Sequence, residues 1–387
     1  MLVLTSSFPR SPQDETCGYI REFARSLSGE YEVTVLAPSD CEAEEWPADS
    51  IVVRRAPSCL PHRFNPFKAS SDLSEIGSQP FTVKAAAAIA LAGFALEALR
   101  LARKTDLICA HWMVPSGLVG AIISSLLGKP LIVVEHSGAL HLLRRLRGGR
   151  LIARFITSRA RSLVTVSNDL KNKLESLSPP SRNRVTVLPM GVESSKPATD
   201  NRAALEPKTV LFVGRLAPVK GVDTLLMAMA RLNSARLIVA GDGEQRDRLE
   251  SLAKSLCVDA HFTGRVGAAE RDALFSSSDV VVVPSITLPC GRTEGTPVVC
   301  LEAMAAGLPV IASNAPGLAE VVTDRCDGLL FESGNHAMLA DKLSLLLRDS
   351  ELRARLSTNA KLTAASYAWA EVGPKFSRLI ESALKSR

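Results

Sequence analysis

The chain has 387 residues, of which 46% are hydrophobic, 22% charged and 5% aromatic. That length exceeds what one ordinary core fills and suits two domains, while the composition excludes a disordered, fibrous or disulfide-framed protein. The formal net charge of +6 is uneven, +5 over residues 1–200 and +1 beyond, which suits an anionic partner for the first half.

In chain order, Leu2–Thr5 and Val33–Leu36 read as short strands, with a helix over Gly18–Leu27 between them. The long loop Ser6–Cys17 places a helix start near Gly18 over the strand ends, where it can meet phosphate. A plain helix start fits one glycine equally well. Ile51–Arg54 reads as a further strand, residues 56–80 carry no readable pattern, and Val83–Arg103 is an Ala/Leu-rich helix. DLICAHWMVPSG (106–117) gives a strand, His111 and a turn. A helix over Leu118–Leu127 follows, and PLIVVEHSG (130–138) is a buried strand ending in Glu135-His136. Two histidines at the carboxyl ends of successive strands share the rim where doubly wound sheets bind ligands, although packed or surface histidines remain the alternative.

Leu142–Arg161 holds seven arginines and no acid, interleaved with Leu, Ile and Phe. A solvated basic face is one reading, and a pair of short interfacial helices drawn to anionic lipid is the other, with Gly148-Gly149 as the break. No aromatic platform or RNA-binding signature accompanies the charge, so no nucleic-acid partner is expected. Strand, helix and strand follow at Leu163–Ser167, Asp169–Leu177 and Val185–Pro189, and the polar stretch Glu193–Lys208 reads as a linker.

A second β-α-β series opens with Thr209–Val213. Arg215 and Lys220 flank a Gly/Pro turn before a helix starting near Val222, a position suited to clamping a diphosphate. Leu237–Ala240 leads to Gly241-Asp242-Gly243-Glu244, read as a tight turn that lets a ligand approach the backbone, since no third glycine arrives in register for a dinucleotide fingerprint. Helix 246–256 and HFTGRVG (261–267) come next. Val280–Val283 is a buried parallel strand. The Pro/Gly/Thr-rich loop after it ends in Glu294-Gly295-Thr296, and Pro297 suits the first turn of a helix over Val298–Ala306. Two carboxylates, Glu294 and Glu302, thus stand beside exposed backbone N–H groups, which suits a ligand carrying both hydroxyls and phosphate.

Eight cysteines lie scattered without a C-x-x-C pair or a Cys/His cluster at metal spacing, which points to buried thiols in a reducing compartment. MLVLTSSFP lacks the basic start and cleavage site of a signal peptide. The longest apolar run, Ala85–Leu96, has twelve residues, against about 20 for a membrane span. A cytoplasmic protein without a transmembrane anchor is expected, and the interfacial reading of Leu142–Arg161 makes it peripheral at the inner face of the membrane.

FVGRLAPVKG and EGTPVVCLEAMAAGLPVIAS resemble the retaining glycosyltransferases of family 4, the group 1 glycosyltransferases, the second phrase carrying their E-x7-E signature in Glu294 and Glu302. The resemblance spans nearly the whole chain and is strongest over residues 209–331. It implies an α/β protein of GT-B fold, two Rossmann-like doubly wound domains facing across a cleft. The acceptor-side domain would be 1–192, joined by a crossover helix over about 367–387, and the nucleotide-sugar domain 193–366. The implied reaction moves a hexose from a nucleoside diphosphate sugar to an acceptor hydroxyl with retained configuration, without metal or other cofactor. No D-x-D spacing occurs in the chain.

By the same resemblance, Glu302 would hold the ribose diol and Glu294 a hydroxyl of the transferred sugar. Arg215 and Lys220 would hold the diphosphate, with help from Gly18 and from the stretch Gly295, Thr296, Pro297 and Val298, whose backbone N–H groups, lacking at Pro297, would also meet the donor. Gly264, Arg265 and Val266 would line the base. His136 would contact the sugar near the reacting carbon, with His111 toward the acceptor. The family usually has Gly-Gly where this chain has Cys17-Gly18. The acceptor would be a sugar or a lipid-linked group, in polysaccharide, glycolipid or cell-envelope assembly. Two other readings share the architecture, a hydrolysing sugar-nucleotide epimerase and a non-catalytic sugar-nucleotide-binding protein, and an enzyme acting on soluble sugars is possible within the same class.

Overall fold

The computed structural model describes residues 1–11, 14–38, 50–56, 81–179, 185–193, 208–232 and 235–385. The unreadable stretch 57–80 and most of the expected linker, 194–207, lie outside the described residues. The chain divides into two units, Met1–Met190 with Val372–Arg387, and Gly191–Glu371. The division at Met190/Gly191 and Glu371/Val372 compares with expected boundaries at 192/193 and about 366/367.

The first unit runs β1 (Leu2–Leu4), α1 (Gly18–Leu27), β2 (Val33–Pro38), β3 (Ile51–Ala56), α2 (Phe81–Ala102), β4 (Ile108–His111), α3 (Leu118–Leu127), β5 (Leu131–Glu135), α4 (Gly138–Arg145), α5 (Gly149–Arg159), β6 (Ser162–Thr165), α6 (Asn168–Leu177) and β7 (Val185–Val187). Its strands form a seven-stranded sheet in the order β3-β2-β1-β4-β5-β6-β7, parallel throughout. The apolar strands β1, β4 and β5 are buried along their whole length, as central parallel strands covered on both faces must be.

The second unit runs β8 (Lys208–Val213), α7 (Val222–Met229), β9 (Ala235–Ala240), α8 (Arg246–Ser255), β10 (Ala260–Gly264), α9 (Ala268–Ser277), β11 (Val280–Val283), α10 (Val298–Ala305), β12 (Val310–Ser313), α11 (Pro316–Ala319), β13 (Leu329–Phe331), α12 (His336–Arg348) and α13 (Ser350–Ala365). Six parallel strands order as β10-β9-β8-β11-β12-β13. Alternate residues of β8 feed two cores: Val210 and Phe212 pack with Leu225, Leu249 and Leu343 on one face, and Leu211 packs with Phe275, Leu301 and Met304 on the other.

The last helix, α14 (Trp369–Lys385), starts in the second unit and continues as the final element of the first. There Phe376 meets Phe23 of α1 edge to face, with centroids 4.9 Å apart. Trp369 stays with the second unit, where its ring fills the space a Cβ on Gly191 would need.

Helix α2 corrects one expectation. At 22 residues it is the one helix among the described residues long and apolar enough to cross a membrane by length and composition. The apolar run counted from sequence stops at Lys84 and Glu97, whereas the helix continues through both. Ala86, Ala90, Phe94, Ala98 and Ala102 form a buried stripe at i,i+4 spacing, and Phe81, Ile89 and Leu96 are exposed.

Phe376 is 2% exposed. Phe376→Ala is expected to lower the stability of the first unit by about 3–5 kcal/mol, seen as a shift of one transition in chemical denaturation.

Candidate active site

In the second sheet β9 lies on one side of β8 and β11 on the other. Loops leaving neighbouring strands in opposite directions open a crevice at their carboxyl ends, and this is where doubly wound folds place ligands. Here the loops after β8 and β11 are fastened backbone to backbone. Ile286 N–H donates to the Val219 carbonyl (2.8 Å), and Gly221, at φ 64°, lies so close that a Cβ would sit 2.1 Å from the Pro284 carbonyl oxygen. No side chain fits there, which explains the glycine after Lys220.

The fastening brings Lys220 and Glu294 together. Lys220 Nζ is 2.5 Å from Glu294 Oε1, with the side chains 18% and 16% exposed. Ser285 Oγ donates to Glu294 Oε2, and Ser313 Oγ donates in turn to the Ser285 carbonyl. Next along the chain, Thr293 Oγ1 is buried without a hydrogen-bond partner. Arg215, on the same loop as Lys220, meets Glu244 Oε2 at 2.9 Å. Each of the two expected diphosphate cations therefore has a carboxylate partner.

The Gly241-Asp242-Gly243 turn departs from its expectation. A Cβ on Gly241 would lie 1.8 Å from the Gly214 carbonyl oxygen, and one on Gly243 would lie 2.6 Å from that of Leu216. The close approach these glycines permit is to the protein's own backbone, and it sets the Arg215 loop.

Gly295 packs against α11, where a Cβ on Gly317 would overlap the Gly295 carbonyl. Pro297 is the cap of α10 and Val298 its first helical residue, with no acid in the first turn. The leading N–H groups of a helix lack intrahelical partners and carry partial positive charge. Glu302, on α10, is 3.1 Å from Arg271 Nη1 of α9. The Gly264–Gly267 loop opens at Gly264, φ 81°, whose carbonyl accepts from Gly241 N–H (2.8 Å); Arg265 is exposed and Val266 packs against the core beneath α10.

In the first unit, β4 and β5 are neighbours, and His111 and His136 stand at their carboxyl ends. His111 Nδ1 and His136 Nε2 are 2.9 Å apart. The rings are 9° from parallel with centroids 5.2 Å apart, so they lie side by side in one hydrogen bond and not face on face. Burial lowers both: His136 to about 3, and His111 well below the ordinary imidazole value, the latter also by its neighbour. Both rings are thus neutral and share one proton. His111 Nε2 is buried without a partner. An orphaned buried N–H costs more than an orphaned lone pair, which assigns the shared proton to His111 Nδ1 and a second proton to His136 Nδ1. His136 is then a hydrogen-bond donor and not a base. His111, expected toward the acceptor side, is fully buried and lies one hydrogen bond behind His136.

Glu135 holds both histidine loops. It is 1% exposed, with Oε2 accepting from Met113 N–H and Oε1 from Ser137 N–H, each at 2.9 Å. Burial pushes its carboxyl up, and backbone N–H groups of Met113, Ser137, Leu140 and Ala139 pull it back. The residue after each histidine is a non-glycine at positive φ, Trp112 at 66° and Ser137 at 133°, a strained backbone that Glu135 holds from both sides. The rings of Tyr19 and Trp112 stand 5.2 and 5.1 Å from His136. Gly18 does not offer its N–H to a ligand, because that group donates to the Glu15 carbonyl (3.1 Å). Cys17 takes the left-handed conformation, φ 55°, that a glycine would adopt without strain.

Sequence reading missed Glu135, Glu244, Arg271 and Ser285. An acid ending the apolar run LIVVE was a usable signal for Glu135; the others pair across 9 residues or more of chain. Among the described residues no group of three His, Cys, Asp or Glu could hold a metal ion.

Two sequence families match the chain: "Glycosyl transferase 4-like domain" over residues 18–191 and "Glycosyl transferases group 1" over 196–363. The chain is 32% identical over 266 residues to an uncharacterised glycosyltransferase of Methanocaldococcus jannaschii, covering 68% of this chain and 72% of the other. It is 32% identical over 229 residues to the GDP-mannose-dependent alpha-(1-6)-phosphatidylinositol monomannoside mannosyltransferase of Mycobacterium tuberculosis, covering 55% and 57%. Among solved structures, sucrose-phosphate synthase from Thermosynechococcus elongatus superposes with TM-score 0.82 at 20% identity, covering 100% and 99%. The fold is GT-B, and the chain belongs to the group 1 glycosyltransferases of the family 4 type. It is a hexosyltransferase that uses a nucleotide sugar in glycan or glycolipid synthesis.

Histidines held neutral cost stability wherever the unfolded chain would take up their protons. Both folded values lie below the ordinary 6.5, so the unfolded state binds more protons as pH falls below it. Stability is expected to fall from pH 6.5 toward 5 with a slope approaching about 1.4 kcal/mol per pH unit for each histidine. His136→Asn should flatten that slope in denaturant titrations.

Proposed function

We propose that the second unit binds a nucleoside diphosphate hexose and that the sugar is transferred with retained configuration to a lipid-linked acceptor hydroxyl. The observation that carries the donor assignment is the Lys220–Glu294 pair at the point where the sheet order turns. A diphosphate takes Lys220 and Arg215, a sugar hydroxyl takes Glu294, and Glu302 takes the ribose diol, with the base along Gly264–Val266. The acceptor oxygen bonds to the anomeric carbon as the bond to the diphosphate breaks, and the departing phosphate oxygen takes the acceptor proton. Rate then comes from positioning and from stabilising the leaving diphosphate, without metal.

UDP-, GDP- and ADP-sugars are to be compared by thermal shift in EDTA. A ligand that binds the folded state raises the melting temperature by mass action, by about 2.7 kcal/mol of stability at a hundredfold excess over Kd. One nucleotide is expected to stand out, and no shift from any would count against the donor site. Lys220→Ala is expected to lower turnover by a factor of about 100 to 1000, as loss of one charge-stabilising donor does, while thermal unfolding stays near wild type. Unchanged turnover would remove Lys220 from the reaction. Free nucleotide with an altered sugar and no acceptor would favour the epimerase reading.

The lipid-linked acceptor is supported by the basic segment. All seven arginines of α4, α5 and their flanks are exposed, together with Leu146 and Leu151. The named acceptor of the mycobacterial relative is itself a phosphatidylinositol derivative. Sedimentation with phosphatidylserine-containing vesicles at low salt is expected, with loss in Arg144/Arg145/Arg147→Glu. Equal sedimentation of the two proteins would rule out this face.

A further inference from the structure

Glu302 is engaged by a residue from outside its own helix. Arg271 Nη1 lies 3.1 Å from Glu302 Oε1, with the side chains 17% and 23% exposed, and its Nη2 is 3.4 Å from Asp272 Oδ1. The Arg271 backbone N–H donates to the Gly267 carbonyl at 2.9 Å. Arg271 therefore closes the first turn of α9 directly after the Gly264–Gly267 loop. Beneath it, Phe275 of α9 shares a core with Cys300, Leu301 and Met304 of α10, which holds the two helices side by side.

This juxtaposition links two parts of the donor site, the loop that would carry the base and the carboxylate that would carry the ribose. A carboxylate with one oxygen bound to a guanidinium is fixed in rotation as well as in charge. We propose that Arg271 is a positioning residue for ribose recognition: it holds the Glu302 carboxylate in place to accept from the ribose diol, and it ties that contact to the base loop. The inference rests on the donor-site reading above. Lysine would keep the charge but not the planar geometry. Glutamine keeps neither charge nor fork.

A purely structural ion pair between two helices, three-quarters or more buried, would alter melting temperature without regard to which nucleotide is present. A positioning role alters discrimination for the 2′-hydroxyl. The probes are UDP, GDP and ADP with their 2′-deoxy counterparts, titrated calorimetrically into the full chain. For the nucleotide that binds, the wild type is expected to prefer the ribonucleotide about tenfold, the value of one hydrogen bond to a charged group. Arg271→Gln should bring that ratio close to one by weakening only the ribonucleotide, and Arg271→Lys should restore part of it. Glu302→Gln serves as the reference for a lost ribose contact.

If Arg271→Gln keeps the wild-type ratio while Glu302→Gln loses it, the proposal is overturned and the donor site stands. A wild type and Glu302→Gln equally indifferent to the 2′-hydroxyl would overturn the ribose assignment itself, and this proposal with it. If Arg271→Gln fails to fold, Arg271→Lys decides: an unchanged ratio overturns the proposal, and a lowered one supports it.

Discussion

A buried charge is tolerated only when paired, and the second unit is arranged around one such pair. Lys220 and Glu294 are both largely buried, and each is the other's ionic partner, with Ser285 as a second, neutral donor to Glu294. Strands β8 and β11 must therefore keep their loops in contact, which the Val219–Ile286 hydrogen bond and the Gly221–Pro284 approach secure without side chains. In the proposed donor site a nucleotide sugar would replace this pair without stranding either ion, because its phosphate would satisfy the lysine and its hydroxyl the glutamate. Inorganic phosphate would satisfy only the lysine. The resting ion pair thus favours a ligand that carries both groups.

The first unit solves a different problem, that of holding neutral imidazoles in a fixed orientation. Glu135 accepts from the loops after both β4 and β5, and each loop carries a residue at positive φ immediately after its histidine. Strain of that kind persists only where the surroundings impose it. Here the buried carboxylate imposes it, and the His111–His136 hydrogen bond fixes which ring edge His136 presents.

Much of this was legible in sequence because it is local. Val280–Val283, LIVVE and TVLFV announce buried parallel strands by β-branched runs, and both histidines fall at strand ends simply by position. Glu294 and Glu302 were readable because E-x7-E spans one loop and one helix start. What was not readable is pairing over distance. Nothing in Gly243-Glu244 indicates that Glu244 meets Arg215, because the contact depends on two glycines letting the loops after β8 and β9 touch. Ser285 and Arg271 were missed for the same reason: a serine after a strand and an arginine on a helix are ordinary until the neighbouring element is placed. The GDG turn failed differently, since glycine reveals a close approach but not what approaches.

Helix α2 shows how burial overrides composition. By length and apolarity it passes as a membrane span, yet Ala86, Ala90, Ala98 and Ala102 put small side chains at every fourth or eighth position, which lets the helix backbone lie close on the sheet, with Phe94 filling the centre. A helix whose inner stripe is docked on β1, β2 and β3 cannot cross a bilayer while the unit stays folded. Its outer residues Phe81, Ile89 and Leu96 are not needed for that docking. Helix α3 packs on both α2 and α5, and it too exposes apolar residues, Ile122 and Leu126. Leu146 and Leu151, exposed and bordered by arginines along the chain, would suit the proposed contact in the plane of a headgroup layer and not insertion through it.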